Sequence, residues 1–254
     1  MRRIDLNADV GESFGAYTLG QDEAVMRHIT SANIACGLHA GDPCVMRDTV
    51  RLAVTAGVGI GAHPGFPDLT GFGRREMEMS ERQVEDLVAY QIGALAGVAA
   101  AEEARLHHVK PHGALYNMAA RDRRLADAIA RAVVDIDATL VLFGLAGSAL
   151  IDAAESVGLR TASEVFADRV YQADGALVPR GQPGAVIDDP KLLVERAVRL
   201  AQDGTVVAQS GETLELRSDT ICLHGDTSGA AELAARLRSG LEAAGVRVLP
   251  VGMG

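Results

Sequence analysis

The sequence has no tryptophan, aromatic residues make up only 4% of it, and three cysteines are spread over 254 residues. With so few rings, a core of any size must be built from Ala, Val, Leu and Ile, side chains suited to packing helices on sheets. Cys36, Cys44 and Cys222 form no C-x-x-C pair and leave one thiol over, which argues against a disulfide framework and for free thiols in a reducing compartment. Lys and Arg number 24 against 34 acidic residues, a net charge of −10 with no basic run. Binding a nucleic-acid backbone needs clustered positive charge, so no nucleic-acid partner is expected. No apolar run reads as a membrane span, and the N-terminus reaches Asp5 before a signal-peptide stretch could form. The expectation is a cytoplasmic protein with no membrane partner. The phosphate-cradling G-x-x-x-x-G-K-[ST] is missing too, as is a G-x-G-x-x-G between a strand and a helix.

Hydrophobic residues at 48% and charged residues at 23% give an ordinary globular balance. The length suits one large domain, and α/β barrels commonly reach it undivided. Short β-prone runs at 4–8, 32–36, 57–62, 107–111, 139–143, 161–166 and 220–224 alternate with longer stretches of helical periodicity. That is the pattern of repeated βα units with a parallel sheet, and seven strands suffice for a nearly closed barrel. The expected fold is therefore α/β, a single barrel domain over residues 1–254.

Helix starts are marked by their caps. Asp42-Pro43 precedes one helix, which Gly57 stops, and Asp189-Pro190 repeats the device. Ser80 and Gln83 form a capping box, and Ser228 opens the last helical stretch. The longest irregular stretches, 64–76 and 169–188, each follow a candidate strand, where the loops of such barrels shape a site.

Nearly every candidate strand ends in a polar side chain: Asn7, Asp9 and Glu12, then Asn33 and His39, His63, Lys110 and His112, Glu164 and Asp168, and finally His224 and Asp226. Parallel strands would bring these ends to one face. Four histidines, His39, His63, His112 and His224, sit in Gly/Pro-flanked turns, where imidazole can serve as acid, base or metal ligand; His28, His107 and His108 read as ordinary surface or packing residues. Lys110 beside His112 can bind a carboxylate or polarise a carbonyl. Arg74 and Arg75 can clamp an anion, or form a solvated pair at the head of a helix. Asp9, His39 and His112 can also be read as a mononuclear divalent-metal site, although no H-x-x-x-H or H-E-x-x-H spacing supports it.

The turn motifs LNADVGESFG, NIACGLHAGDP, IGAHPGFPDLTGFGRR, VKPHGALYN, EVFADRVY with LVPRG, and ICLHGD resemble, in order, those of the LamB/YcsF family, the A subunits of prokaryotic 5-oxoprolinase. The resemblance implies an irregular (β/α)7 TIM-like barrel of the glycoside hydrolase/deacetylase type. It implies cleavage of the lactam 5-oxoproline to L-glutamate with ATP, and with Mg as a candidate companion ion, in partnership with subunits B and C. Self-association is left open. On this basis Asp9, His39, His63, Lys110, His112 and Glu164 are the catalytic candidates. Asn7, Glu12, Asn33, Arg74, Asp168, Arg169, His224 and Asp226 are the substrate-binding candidates. The chain departs from the family pattern at Ala8 and Gly65-Phe66, beside the polar residues, where substrate fit could be tuned. The alternatives are a metal-dependent deacetylase of N-acetylated sugars and a non-catalytic, substrate-delivering role.

Overall fold

Alternation along the first strand sets the architecture. In β1 (Arg3–Val10), Ile4, Leu6, Ala8 and Val10 join the apolar core, while Asp5, Asn7 and Asp9 bond to side chains across the barrel interior. The computed structural model describes residues 2–224 and 229–252. After β1 come α1 (Asp22–Met26), β2 (Ser31–Ala35), α2 (Pro43–Ala56), β3 (Gly59–His63), α3 (Glu81–Ala101) and β4 (Leu106–Val109). Then follow α4 (Gly113–Ala119), α5 (Arg123–Asp137), β5 (Val141–Leu145), α6 (Ala149–Ser156), β6 (Arg160–Phe166) and α7 (Pro190–Asp203). The chain ends with a hairpin of β7 (Thr205–Val207) and β8 (Thr213–Glu215), then β9 (Thr220–His224), α8 (Ala230–Ala243) and β10 (Arg247–Val248).

Strands β1, β2, β3, β4, β5, β6 and β9 pair in parallel in that order, and β9 pairs back onto β1, closing a seven-stranded barrel. The short β10 extends the start of β1. All seven expected strands form. The third begins at Gly59 rather than Gly57, because Gly57 at φ +67° is the left-handed cap of α2. The fifth begins at Val141, since Asp137 holds Thr139 in a turn through its backbone N–H and hydroxyl.

The expected caps hold where the structure describes them. Asp42 accepts from the backbone N–H of Cys44 and Val45, Ser80 and Gln83 bond reciprocally, and Asp189 accepts from Lys191 and Leu192. Ser228 lies outside the described residues. One sequence expectation needs correction: α3 is long and apolar enough, by composition, to cross a membrane. It packs instead against α2 and α5 in the outer layer, burying Val84, Val88, Ile92, Leu95 and Ala99. The barrel interior is only partly apolar. Val141, Phe143 and Ala162 form a small cluster under Val251, and polar side chains fill much of the rest.

Candidate active and metal site

The interior polar column starts with Asp5. Its carboxylate accepts from Thr30 Oγ1 (2.6 Å), Ser31 Oγ (2.7 Å) and Thr220 Oγ1. Burial raises its pKa to about 6, and the three hydroxyl donors pull the other way.

Above it, Lys110 sits 3% exposed among acceptors. Its Nζ lies 2.9 Å from Asp9 Oδ1, 2.9 Å from Glu164 Oε1, 3.1 Å from Asn7 Oδ1 and 3.0 Å from Cys222 Sγ. Burial alone would lower the ammonium's pKa, but Asp9, Cys222 and Glu164 together hold it well above the ordinary lysine value. Asn33 stitches the group together: its Nδ2 donates to Asn7 Oδ1 (2.7 Å) and Asp9 Oδ1 (2.9 Å), and its Oδ1 accepts from His108 Nε2 (2.8 Å). Asn7 Nδ2 in turn donates to Glu164 Oε1 (2.9 Å) and Thr220 Oγ1 (2.7 Å).

Three imidazoles close the column at the strand ends. His39 and His112 stack with centroids 3.9 Å apart and planes 5° from parallel, and His63 meets both edge-on. Gly73 makes room for the stack: at φ +65° it adopts a backbone that favours glycine, and a Cβ there would come within 2.8 Å of both side chains. Two backbone carbonyls fix the tautomers. Phe72 O lies 2.9 Å from His112 Nε2 and Lys110 O lies 2.7 Å from His63 Nδ1, and a carbonyl can only accept, so those nitrogens carry the protons. His112 Nδ1 is then a lone-pair nitrogen, and it faces His63 Nε2 at 2.9 Å. Asp9 Oδ2 lies 3.3 Å from His63 Nε2, and Glu12 Oε1 lies 3.8 Å from both His112 Nδ1 and His39 Nε2. Neither ring nitrogen of His39 has a hydrogen-bond partner among the described residues. Burial, then the neighbouring His63, pushes His112 down to about 3, and burial first of all holds His39 well below the ordinary value, so both rings are neutral.

Imidazole nitrogens converging with a carboxylate are what a divalent cation requires. Among the described residues, Glu12, His39, His63 and His112 each offer a donor atom within 4.8 Å of the others. This differs from the set expected from sequence, because Lys110 and Asn33 hold Asp9 Oδ1 while Glu12 and His63 join His39 and His112.

The cluster opens into a cavity of about 740 Å³ lined by Asp9, Glu12, His63, Lys110 and His112, and also by Arg74 and Arg169. Asn7, Asn33 and Glu164 lie fully buried behind that lining. Arg75 is tied to Asp68 and belongs to the loop. Ala8 and Phe66 belong to the apolar core rather than to the cavity lining. Asp168 is half-buried beside Arg169. His224 ends β9 in register with Asp9, but its side chain, like Asp226 as a whole, lies outside the described residues.

The sequence profile described as the LamB/YcsF family matches residues 4–253. The chain belongs to this family. It is 57% identical to the 5-oxoprolinase A subunit of Bordetella pertussis, over 96% of this chain and 97% of that protein. It is 55% identical to the 5-oxoprolinase A subunit of Bacillus subtilis, over 99% and 98%. The crystal structure of a lactam utilization protein from Thermus thermophilus superposes with a TM-score of 0.92 at 48% identity, covering 97% of this chain and 99% of that one.

In this LamB/YcsF chain the sequence reasoning missed two residues of the site. His108 is completely buried, stacked on Phe143 with centroids 4.3 Å apart, and it holds Asn33. Cys222, read as a free thiol, is that and also a contact of Lys110. Strand alternation could have found both, since His108 lies two residues before Lys110, and Cys222 two residues after the inward-facing Thr220 and before His224.

Proposed function

We propose that this chain is the A subunit of an ATP-dependent 5-oxoprolinase, opening the cyclic amide of 5-oxoproline to L-glutamate together with subunits B and C. The observation that carries this is identity of 55–57% over nearly the whole chain to proteins bearing that name. It is joined to a buried carboxylate and imidazole cluster at the barrel mouth. The chain works as one barrel domain over residues 1–254 in the cytoplasm. ATP enters as co-substrate, with Mg, on one of the partners, because this sequence carries no glycine-rich phosphate cradle.

Glu12, His39, His63 and His112 would hold a divalent metal, which when bound would polarise the lactam carbonyl and acidify water. Asp9 is the general base toward water. Asn33 and Lys110 immobilise its Oδ1 and leave Oδ2 turned toward His63 and the cavity. Lys110 has three N–H donors spread over four acceptors. Its part is to hold Asp9 and Glu164 in place rather than to contact the ring. Arg74 and Arg169 receive the charged portion of the substrate.

The experiment is to mix the purified chain with B and C, 5-oxoproline and ATP. Glutamate should form only when all three proteins are present, and Asp9→Asn, His63→Ala and His112→Ala should each abolish it in folded protein. Full activity in all three variants would end this reading.

A further inference from the structure

Tyr116 belongs to the VKPHGALYN motif and sits in the first turn of α4, its backbone N–H donating to the carbonyl of His112 at 3.3 Å. It is 5% exposed, and its ring forms part of the cavity wall, edge-on to Phe166 with centroids 6.2 Å apart. Lys110 Nζ lies 5.9 Å from the centre of the same Phe166 ring, so the phenol borders the Lys110 cluster. The Tyr116 hydroxyl is buried and has no well-formed hydrogen bond among the described residues, and the same holds for Glu164 Oε2. The two groups are neighbours, within reach of one another but poorly joined. Burial, then the Glu164 charge, holds the phenol well above the ordinary tyrosine value, so it keeps its proton.

This corner of the barrel is short of donors. Lys110 spreads its N–H groups over Asp9, Asn7, Cys222 and Glu164 Oε1, and Asn7 Nδ2 serves that same Oε1. Glu164 Oε2 and the phenol oxygen are left with one O–H proton between them. When that proton points at Oε2, the phenol oxygen has no donor; when it points away, Oε2 has none. Either way one donor is missing from a place where bulk water does not make up the loss.

We propose that Tyr116, backed by Glu164, receives the ring N–H of the lactam and makes this chain select a cyclic amide over a cyclic ester of the same shape. The identity of the ring rests on the 5-oxoprolinase reading. Tyr116 is the contact, because it lines the cavity while Glu164 lies behind the lining. Glu164 acts through it: Oε2 takes the phenol's proton, which turns the phenol oxygen's lone pairs toward the incoming N–H. A lactam offers its carbonyl acceptor and its N–H donor on one edge, because the ring holds the amide cis. With the carbonyl turned to the imidazole cluster, the N–H is the donor left for the Tyr116 side. An ester brings a ring oxygen instead, a further acceptor facing an oxygen that already lacks a donor. Sites built to bond an N–H reject such analogues for this reason.

The probes are 5-oxoproline and the matching γ-lactone carboxylate, which has a ring oxygen in place of the N–H, each titrated calorimetrically into the purified full chain. The wild type should bind the lactam at least about tenfold more tightly than the lactone. Tyr116→Phe keeps the ring and its packing on Phe166 and should erase that preference, weakening the lactam and leaving the lactone as it was. Glu164→Gln sets an amide N–H beside the phenol oxygen and supplies the missing donor from within the chain. It should erase the preference too, and it carries the test should Tyr116→Phe lose its fold. A wild type that shows no preference, or that binds neither ring, would overturn the proposal. So would a Tyr116→Phe chain, folded by circular dichroism, that keeps the preference or weakens both rings alike, the mark of a role in cavity shape alone. Glutamate formation with B and C tests the 5-oxoprolinase reading separately. A chain with the Tyr116-dependent preference that makes no glutamate would sink that reading and leave this one standing.

Discussion

Two buried polar clusters meet at the barrel mouth, and they differ in how far the chain satisfies them. Around Lys110 most donors and acceptors are matched: Asn7, Asn33, Asp9, Glu164 and Cys222 all reach one another or the ammonium at hydrogen-bond distance, and Glu164 Oε2 alone of these carboxylate and amide atoms has no hydrogen-bond partner among the described residues. Around His39, His63 and His112 the nitrogens that face inward meet one another or carboxylates at 2.9–3.8 Å, and the His39 ring has no hydrogen-bond partner among the described residues. Buried polar groups are nearly always satisfied in a finished interior. The well-matched atoms around Lys110 therefore act mainly as scaffold, holding Asp9 so that its Oδ2 faces the cavity, and the imidazole cluster is where something from outside completes the bonding.

Removing the centre of the matched cluster should do the most damage. Lys110→Met leaves Asp9 and Glu164 buried without their counter-charge, an expected loss of about 3–5 kcal/mol in urea unfolding. An unchanged unfolding midpoint would show that the network is not scaffold. Asp5 sharpens the same point through pH. Its carboxyl is raised from 3.8 to about 6, so the folded chain keeps a proton that the unfolded chain releases. That contribution is complete below about pH 3.8 and lost as pH rises through about 6, an effect of about 2–3 kcal/mol. Asp5→Asn should therefore gain stability relative to wild type between pH 4 and 7; a constant difference across that range would contradict the assignment. His108→Leu tests the link between the clusters, since His108 fixes Asn33, which fixes Asp9 beside His63. It should keep the metal ligands but weaken metal affinity by about 10–100-fold, as losses of outer partners do. Unaltered affinity would separate the two clusters.

Much of this was legible in the sequence. The βα alternation, the Asp42, Ser80 and Asp189 caps and the convergence of His39, His63 and His112 follow from local rules, because caps act within one helical turn and parallel strands must end together. What was not legible depended on which way side chains turn across the barrel. His108 looked ordinary because its partners, Asn33 and Phe143, are distant in sequence. Gly61 is the trace it leaves, since a Cβ there would collide with the His108 ring. The exchange of Asp9 for Glu12 and His63 in the metal set was hidden for the same reason: only the fold shows that Lys110 and Asn33 already hold Asp9. The hairpin of β7 and β8 was missed because two three-residue strands carry too few alternations to register.

The most direct test is metal binding by the isolated chain. After chelator treatment and dialysis, zinc or manganese titrated into wild type should saturate at one ion per chain, and His39→Ala and Glu12→Gln should lose that site while retaining wild-type circular dichroism. A wild-type chain that takes up neither ion, or variants that bind as well as wild type, would contradict the account of the unmatched cluster.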